Sequence, residues 1–292
     1  MMIPAGLPAA EVDVTVELVR SLIALQHPDL AELPVVQLAH GWDNELFRVG
    51  DRLTGRFPRR EVAAALIEHE QRWLPRIAAS LPLPVSAPVR VGRPALGYPH
   101  PWSIGPWFDG AAALIEPPEP RAAVDDLARF VRALHRPAPS DAPHNAVRGV
   151  PLIERDALTR DRIGRLHDVV DVEPVLSVWD DAVAAEVHDG PPMLLHGDLH
   201  PGNLIVRDGR LVAVIDFGDL CAGDPATDLG VAWMLFDEPW RTSFLDRVDV
   251  DGDTRRRARG WASSIGAAMA CGPSPMRELG ITVLDRVLAP IG

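Results

Sequence analysis

The sequence predicts an α+β chain with two lobes: a small N-terminal lobe made of an antiparallel sheet with one main helix, and a larger, mostly helical C-terminal lobe. Residues 34–58 form short, partly alternating apolar runs broken by glycines, a pattern typical of antiparallel strands. Residues 61–80 repeat apolar side chains at helical spacing, and helical patterns dominate beyond residue 120. We place the lobes at residues 1–107 and 108–292.

The elements of the N-terminal lobe follow in a simple order. A helix around Val14–Gln26 precedes three strands. The next helix carries one mostly apolar stripe, whose residues recur at helical spacing: Leu66, Glu70, Trp73, Leu74 and Ile77. Glu70 is the acidic member of that stripe, whereas Glu68 lies about 160° around the helix and faces water. The run PWSIGPWF, residues 101–108, is expected to be a strand that ends in a linker.

The C-terminal lobe is expected to begin with a helix over residues 123–135, which Pro137 follows. Residues 137–170 are predicted to be irregular and polar, and residues 171–188 helical. Two apolar runs flank the turn Asp208-Gly209 and predict a hairpin. Asp224-Pro225 is typical of a helix start, and three or four helices complete the chain.

Composition excludes several classes of protein. The 292 residues are 47% hydrophobic, enough for a sizeable core, and the net charge of -12 with dispersed arginines argues against nucleic-acid binding. Only two cysteines occur, too few for a thiolate metal site, and all 29 basic side chains are arginines. No stretch reaches the roughly 18 uninterrupted apolar residues of a membrane span, so we expect a cytoplasmic protein without a membrane partner.

One short region carries the pattern of phosphoryl-transfer chemistry. The stretch HGDLHPGN places Asp198 and Asn203 five residues apart, which is the spacing of a kinase catalytic loop. Asp216 follows one hairpin later in the sequence IDFG. Transfer of a phosphoryl group requires a carboxylate to orient the acceptor hydroxyl and hard oxygen ligands for Mg²⁺. We therefore predict Asp198 as the catalytic residue and Asn203 and Asp216 as the metal ligands.

These motifs, together with GDPATDL at residues 223–229, make the chain similar to the aminoglycoside phosphotransferase family. The resemblance extends from about residue 37 to the C-terminal helices and implies a protein-kinase-like fold. It also implies a nucleoside triphosphate, ATP or GTP, as phosphoryl donor and Mg²⁺ as cofactor. The structural alternative, in which Asp198, Asn203 and Asp216 are ordinary turn and cap residues, is hard to reconcile with their order.

A kinase-like N-terminal lobe requires a cation that contacts the nucleotide phosphates and pairs with a glutamate of the following helix. Because the chain has no lysine, Arg56 in TGRFPRR takes that place, and similar family members often read R-x-P-R-R there. Glu70 would lose much solvation at a packed face unless it met a cation. We therefore predict an Arg56–Glu70 ion pair; in the alternative, both side chains reach the surface.

Two further segments of the N-terminal lobe are expected to contact the nucleotide. The loop with Trp42, Asp43 and Asn44 joins the first two strands and would cover the phosphates with backbone N–H groups, although it also fits an ordinary hairpin loop. Pro106 and Phe108 lie where the resemblance places the hinge beside the base. Their carbonyl and N–H groups form an acceptor and donor pair. Trp102 and Trp107 are expected to pack in the core or between the lobes, and stacking on the base is the less favoured interpretation.

Several polar residues near the motif are expected to support the loop. We interpret His196 as a brace of the catalytic loop and Asp224 and Asp228 as a helix cap and a loop brace. His200 stands where protein kinases often have lysine, and contact with a phosphate is the less favoured interpretation.

The acceptor is expected to be a small, cationic molecule such as an aminoglycoside. Carboxylates that could attract its ammonium groups are Asp219, Asp237 and Glu238, which equally fit a solvated surface. Choline, homoserine, fructosamine or macrolide kinases share the fold and stay open as alternatives. So does a non-catalytic pseudokinase, although all three motif residues are present. A metal-dependent hydrolase built on His196, Asp198 and His200 is disfavoured because no further ligand set follows.

Overall fold

The computed structural model describes residues 9–40 and 44–290, and these form two compact units. The first unit contains the described residues up to Ser80, together with Pro84–Asp109 and Ile215–Gly218. The second unit contains Leu81–Leu83, Gly110–Val214 and the chain from Asp219 onward. The four residues of the DFG segment therefore group with the N-terminal unit. A single lobe boundary after residue 107 stays a prediction.

The first unit is built on a five-stranded antiparallel sheet in the order β1-β2-β3-β5-β4. Its strands are β1 (Val35–His40), β2 (Asn44–Val49), β3 (Leu53–Pro58), β4 (Arg90–Gly92) and β5 (Trp102–Pro106). The three strands predicted between residues 34 and 58 are all present, and the strand predicted in the run 101–108 is β5.

Two helices complete the first unit: α1 (Val16–Gln26) and α2 (Glu61–Ile77). Helix α2 buries Glu70 with Trp73 and Leu74, as the apolar stripe predicts, and Glu68 is exposed. The stripe is displaced slightly from the predicted one, because Leu66 and Ile77 are half-buried and Ala63 and Ile67 take the inner positions. Glu70 thus faces the interior of its unit.

The second unit is mainly helical, which confirms the predicted α+β class. Its helices are α3 (Pro120–Leu134), α4 (Asp156–Gly164), α5 (Val172–Val183), α6 (Ala226–Leu229), α7 (Val231–Leu235), α8 (Trp240–Val248), α9 (Gly252–Ala270) and α10 (Met276–Arg286). Helix α9 lies at the centre and packs against α5, α6 and α10. No helix in the described part of the chain is long and apolar enough to cross a membrane.

Two expectations for this unit were wrong. Residues 137–170 are not irregular throughout, because α4 forms within them. Its polar sequence hides a helix in which Thr159 and Ile163 are buried and Arg160 pairs with Asp156 at 2.8 Å. Beyond Gly223, five helices form instead of three or four, because α6 and α7 are separate short helices that meet at Gly230.

Two small sheets carry the motif loops. One contains β6 (Ala111–Ala112), β8 (Leu204–Arg207) and β9 (Arg210–Val214), and the other pairs β7 (Met193–Leu195) with β10 (Cys221–Gly223). The predicted hairpin is the β8–β9 turn, where Asp208 and Gly209 have φ of 52° and 72°. Positive φ at both turn positions gives the twist that a two-residue hairpin needs. The hairpin links Asn203 to the segment with Asp216.

Candidate active site

The loop between β7 and β8 contains the predicted catalytic residue, and a glycine sets its path. Gly197 has φ of 84°, and a Cβ atom there would lie 2.2 Å from the backbone oxygen of Asp219. Any other residue would clash with that backbone and would also have to adopt a strained conformation. The loop therefore runs directly against the chain that follows the DFG segment, and this contact fixes the position of Asp198.

Hydrogen bonds from buried residues hold the same loop. Asp228 is fully buried and accepts the backbone N–H groups of His196 and Gly197 at 2.8 and 2.9 Å. His135 Nε2 lies 3.0 Å from the same carboxylate. Burial alone would raise the pKa of Asp228, but the hydrogen bond and charge of His135 and the charge of His196 outweigh it and lower the pKa. Asp228 is a loop brace, as expected.

His196 acts from inside the loop, since it is fully buried and its Nδ1 accepts the N–H of Asp198 at 3.2 Å. This contact agrees with the predicted bracing role. Asp224 accepts the N–H of Ala226 at 3.0 Å and pairs with Arg257 at 2.7 Å. Its carboxylate therefore binds the first N–H group of α6, although the N-cap residue is Pro225 and the helix begins one residue later than the Asp-Pro pattern indicates.

Asp198 is surrounded by cationic and hydrogen-bonding groups of the second unit. Its Oδ1 accepts a hydrogen bond from Arg148 Nη2 at 3.0 Å, and its Oδ2 lies 3.5 Å from His200 Nε2. The side chain is 29% exposed, so an acceptor can reach it. Burial alone would raise its pKa, but His200, Arg148 and His196 outweigh burial and hold the pKa well below the usual value for aspartate. Asp198 is therefore ionised at neutral pH.

The tautomer of His200 follows from the hydrogen bond that its Nδ1 atom accepts. His200 Nδ1 accepts the N–H of Gly202 at 3.0 Å. In a neutral imidazole only one nitrogen carries a proton, so Nε2 is the protonated one and points it toward Asp198. In the structure His200 thus supports the carboxylate.

Asn203 presents an oxygen ligand. Its Nδ2 donates to the backbone carbonyl of Asp198 at 2.9 Å, which fixes the orientation of the amide and leaves Oδ1 as the group that can bind a cation. The side chain is 6% exposed and ends a short 3-10 helix, Pro201–Asn203. An amide oxygen held in this way fits the preference of Mg²⁺ for hard oxygen ligands.

The first unit contains a compact cluster of Arg56, Glu70 and Asp216. Arg56 Nη1 lies 2.6 Å from both carboxylate oxygens of Glu70, and Nη2 donates to Asp216 Oδ1 at 2.8 Å. The predicted Arg56–Glu70 ion pair is therefore present, and the second nitrogen of the guanidinium extends it to the DFG aspartate. One planar fork holds two carboxylates.

Burial and charge act in opposite directions within this cluster. Burial alone would lower the pKa of Arg56, but the charges of Glu70 and Asp216 outweigh it and raise the pKa. Burial raises the pKa of Glu70, and the attraction of Arg56 only partly offsets this. The side chain of Asp216 is 52% exposed. One of its oxygens contacts Arg56, so the other can serve as a metal ligand.

The backbone at Asp216 is unusual. Its φ of 64° lies in the left-handed region, which aspartate tolerates better than most residues. Its N–H lies 3.3 Å from Ser86 Oγ, and the following Phe217 is fully buried. The DFG segment is thus packed into the first unit while its carboxylate faces outward.

The remaining predicted nucleotide residues have different outcomes. Trp42 and Asp43 lie outside the described residues. Asn44 is half-buried at the start of β2, and its Oδ1 has no hydrogen-bond partner among the described residues. Pro106 ends β5, and both Pro106 and Phe108 are half-buried. Their roles toward a nucleotide stay predictions.

The two tryptophans near the hinge pack within the first unit. Trp102 is fully buried and stacks on Phe57 with ring centroids 4.9 Å apart. The guanidinium of Arg48 lies 3.9 Å from the ring centroid of Trp107, whose Nε1 donates to Asp109 at 2.7 Å. The burial of Trp102 agrees with its expected packing role, whereas Trp107 is half-buried and its role stays a prediction.

The three carboxylates expected to attract a cationic acceptor have partners within the chain. Asn145 donates to Asp219 at 2.7 Å. Arg286 pairs with Asp237 at 2.5 Å, and Arg241 pairs with Glu238 at 2.8 Å. The charges of Asp237 and Glu238 are therefore partly neutralised before any acceptor binds, while Asp219 has a neutral amide partner and Arg148 Nη2 4.0 Å away.

Sequence reasoning missed three charged residues near these sites. Glu45 and Arg59 form a second buried pair in the first unit, 3.5 Å apart. Glu45 shares the inner face of β2 with Phe47, so period-two alternation could have revealed it. Arg148 gave no such signal, because it lies in a loop without periodicity.

No group of three or more His, Cys, Asp or Glu side chains within residues 9–40 and 44–290 is arranged to hold a metal ion. Mg²⁺ in phosphoryl-transfer enzymes usually binds through one or two side chains and the phosphates of the nucleotide. Taken separately, the amide oxygen of Asn203 and a carboxylate oxygen of Asp216 are each ligands of the type that Mg²⁺ prefers.

Known proteins resemble this chain in sequence. The model of the phosphotransferase enzyme family (APH) matches residues 34–261. The aminoglycoside 3'-phosphotransferase of Salmonella typhimurium is 29% identical over 118 residues, which cover 39% of this chain and 44% of that protein. The matched segment thus spans less than half the length of this curated relative.

Solved structures share the fold over nearly the whole chain. The GDP and kanamycin complex of APH(2")-IIIa matches with a TM-score of 0.67 and 19% identity, covering 91% of this chain and 97% of that one. Macrolide 2'-phosphotransferase type I matches with a TM-score of 0.59 and 18% identity, covering 96% and 99% of the two chains. At this identity the likeness establishes the protein-kinase-like fold. Since the family model spans most of the sequence, the chain belongs to the phosphotransferase enzyme family.

Proposed function

We propose that the protein is a small-molecule kinase that transfers the γ-phosphoryl group of a nucleoside triphosphate to a hydroxyl group. The observation that carries the proposal is the set of supports around Asp198. A carboxylate that is braced by buried residues, ionised and still 29% exposed is suited to bind a hydroxyl group. An ordinary surface loop would not need Gly197, His196 and Asp228 to fix one aspartate.

In the proposed reaction, Asp198 accepts a hydrogen bond from the acceptor hydroxyl and aligns its oxygen with the γ-phosphorus. The new bond joins this oxygen to phosphorus, the bond from phosphorus to the bridging oxygen breaks, and the nucleoside diphosphate leaves. The hydroxyl proton passes to Asp198 and then to water. Because the pKa of Asp198 is low, its main contribution is orientation, with proton transfer late in the step.

The other motif residues would bind the donor. Asn203 and Asp216 would supply oxygen ligands to Mg²⁺, which neutralises charge on the phosphates when it is bound. Arg56 would contact the phosphates, held in position by Glu70. ATP and GTP are both consistent with a base bound at the backbone of Pro106 and Phe108.

Antibiotics are the first acceptor class to test, because the relatives include aminoglycoside and macrolide phosphotransferases. An aminoglycoside carries several ammonium groups and would favour unpaired carboxylates around Asp198. The pairing of Asp219, Asp237 and Glu238 weighs against a strongly cationic acceptor. A macrolide or another hydroxylated molecule is the second candidate.

Transfer of phosphate to a panel of acceptors tests the proposal. The panel contains aminoglycosides, macrolides, choline, homoserine and simple sugars, each incubated with Mg²⁺ and ATP or GTP and analysed for mass gain. We expect at least one phosphorylated product with the wild type and none with Asp198→Asn. Nucleotide binding without any transfer would instead favour the pseudokinase alternative.

A further inference from the structure

Arg148 lies beside the carboxylate that is proposed to bind the acceptor hydroxyl. We propose that Arg148 recognises an anionic group of the acceptor, so that the natural acceptor is a hydroxylated molecule with a carboxylate or phosphate group. This inference rests on the proposed kinase function, because it concerns the acceptor of that reaction. Carboxylate and phosphate share the geometry that a guanidinium binds best.

The first argument is distance. Arg148 Nη2 is 3.0 Å from Asp198 Oδ1 and 4.0 Å from Asp219 Oδ2. A hydroxyl oxygen that hydrogen-bonds to Oδ1 lies about 2.7 Å from it, and therefore within about 6 Å of the guanidinium nitrogen. An acceptor cannot use this oxygen of Asp198 without approaching Arg148. The side chain is 20% exposed, so it can be reached from solvent.

The second argument is that the backbone of Arg148 is held in place. The next residue, Gly149, approaches Gly223 of β10 so closely that a Cβ at Gly223 would lie 2.3 Å from the oxygen of Gly149. The Gly149 oxygen also accepts the N–H of Asp224 at 2.9 Å, and Pro143 accepts the N–H of Ala222 at 2.8 Å. These contacts bind the loop to β10. Arg148 is therefore prepositioned, which lowers the entropic cost of using it for recognition.

The third argument is Arg155, which lies close enough to Arg148 for their charges to interact. Its side chain is 7% exposed, and its Nε has no hydrogen-bond partner among the described residues. The Nε of Arg148 is buried and also has no partner within that part of the chain. Burial and the charges of Arg148 and Arg162 lower the pKa of Arg155. A buried guanidinium next to another one is stabilised by a nearby anion.

Charge balance supports the same class of acceptor. Among the described residues, Asp198 and Asp219 lie within 4.0 Å of Arg148, whose positive charge partly offsets theirs. A polyamine would be repelled by the positive charge of Arg148, which lies beside Asp198 Oδ1, the atom that the acceptor hydroxyl has to reach. A carboxylate or phosphate on the acceptor could instead take Arg148 over from Asp198, which would free Oδ1 for the hydroxyl group.

Binding of matched sugars to the full chain, without nucleotide, tests this inference. The probes are glucuronate, glucose 6-phosphate, glucose and glucosamine, which keep the same ring and differ in charge. Affinities are measured by calorimetry for the wild type, Arg148→Gln and Arg148→Lys. Arg165→Gln is the control, since Arg165 is an exposed arginine paired with Asp161 in the same unit.

We expect glucuronate or glucose 6-phosphate to bind the wild type at least about tenfold more tightly than glucose, a difference of about 1.4 kcal/mol, and glucosamine to bind most weakly. Whichever of the two anions binds more tightly identifies the acidic group. Arg148→Gln should remove the preference, Arg148→Lys should retain part of it, and Arg165→Gln all of it.

Equal affinities, absence of binding, tightest binding of glucosamine, or a preference that survives in Arg148→Gln would each overturn the inference. Because the assay contains no nucleotide, such a result leaves the kinase proposal to be decided by the transfer assay and by Asp198→Asn.

Discussion

The two units each place an arginine between two carboxylates, but the two clusters differ in burial. In the first unit, Arg56 is 14% exposed and Glu70 only 2%, and all three contacts are 2.8 Å or shorter. In the second unit, Arg148 is 20% exposed and Asp198 29%, with separations of 3.0 and 4.0 Å. The Arg56–Glu70 pair of the first cluster is thus tight and closed to solvent, although Asp216 is 52% exposed, whereas the Arg148–Asp198 pair is looser and more open.

This difference indicates what each cluster can do. A buried ion pair cannot release one partner without leaving an uncompensated charge, so it suits a fixed structural position. A partly exposed pair costs little to open and can exchange one partner for a ligand. Glu70 is thus suited to hold Arg56, the proposed phosphate-binding group, in place, whereas Arg148 is suited to exchange Asp198 for the proposed acceptor.

The largest expected effect is on the closed cluster. Glu70→Ala should lower the free energy of unfolding by about 3 kcal/mol, because it leaves Arg56 buried with Asp216 as its remaining partner. Urea unfolding measures the change. Glu68→Ala, exposed on the same helix, is the matched control and should stay within about 0.5 kcal/mol of the wild type. Equal effects of the two variants would contradict the structural role of the pair.

An intermediate effect is expected when Arg56 keeps its charge but loses its shape. Arg56→Lys should lower the free energy of unfolding by about 1.5 kcal/mol, because one ammonium nitrogen cannot contact Glu70 and Asp216 as two guanidinium nitrogens do. Arg52→Lys, at an exposed position of the same unit, serves as the control. If Arg56→Lys is as stable as the wild type, charge alone holds the cluster together.

The smallest effect is expected in the open cluster. Arg148→Gln should change the free energy of unfolding by less than about 1 kcal/mol, because its ion pairs are partly exposed and Asp198 keeps His200 nearby. The same urea titration measures it. A loss as large as that of Glu70→Ala would mean that Arg148 is a structural residue, and the contrast between the clusters would not hold.

The sequence predicted the Arg56–Glu70 pair of the closed cluster because both residues lie in regular structure, but it did not predict the contact of Arg56 with Asp216. A glutamate on the apolar stripe of a helix has to meet a cation, and in a chain without lysine that cation is an arginine. The DFG segment and the catalytic loop were also readable, because their residues occur at fixed spacings on either side of a hairpin. Helix α4 was missed because its sequence is mostly polar and only Thr159 and Ile163 are buried, so it shows no apolar stripe.

The open cluster could not be predicted from the same evidence. Arg148 lies in a loop whose path depends on the close approach of Gly149 and Gly223, residues 74 positions apart in the sequence. His135 reaches Asp228 across a similar distance in sequence. Periodicity describes local structure, and it gives no information on which distant loop lies against a motif.

A comparison of two variants, Asp198→Asn and Asp216→Asn, tests the central claim most directly, namely that Asp198 acts on the acceptor and Asp216 on the metal-bound nucleotide. Calorimetry gives the Kd of the nucleotide at several Mg²⁺ concentrations, and the transfer assay gives kcat. We expect Asp198→Asn to bind nucleotide as the wild type does while kcat falls by at least about 100-fold. Asp216→Asn should weaken nucleotide binding, and added Mg²⁺ should recover part of it. A kcat for Asp198→Asn within about tenfold of the wild type, or unchanged nucleotide affinity in Asp216→Asn, would contradict the claim.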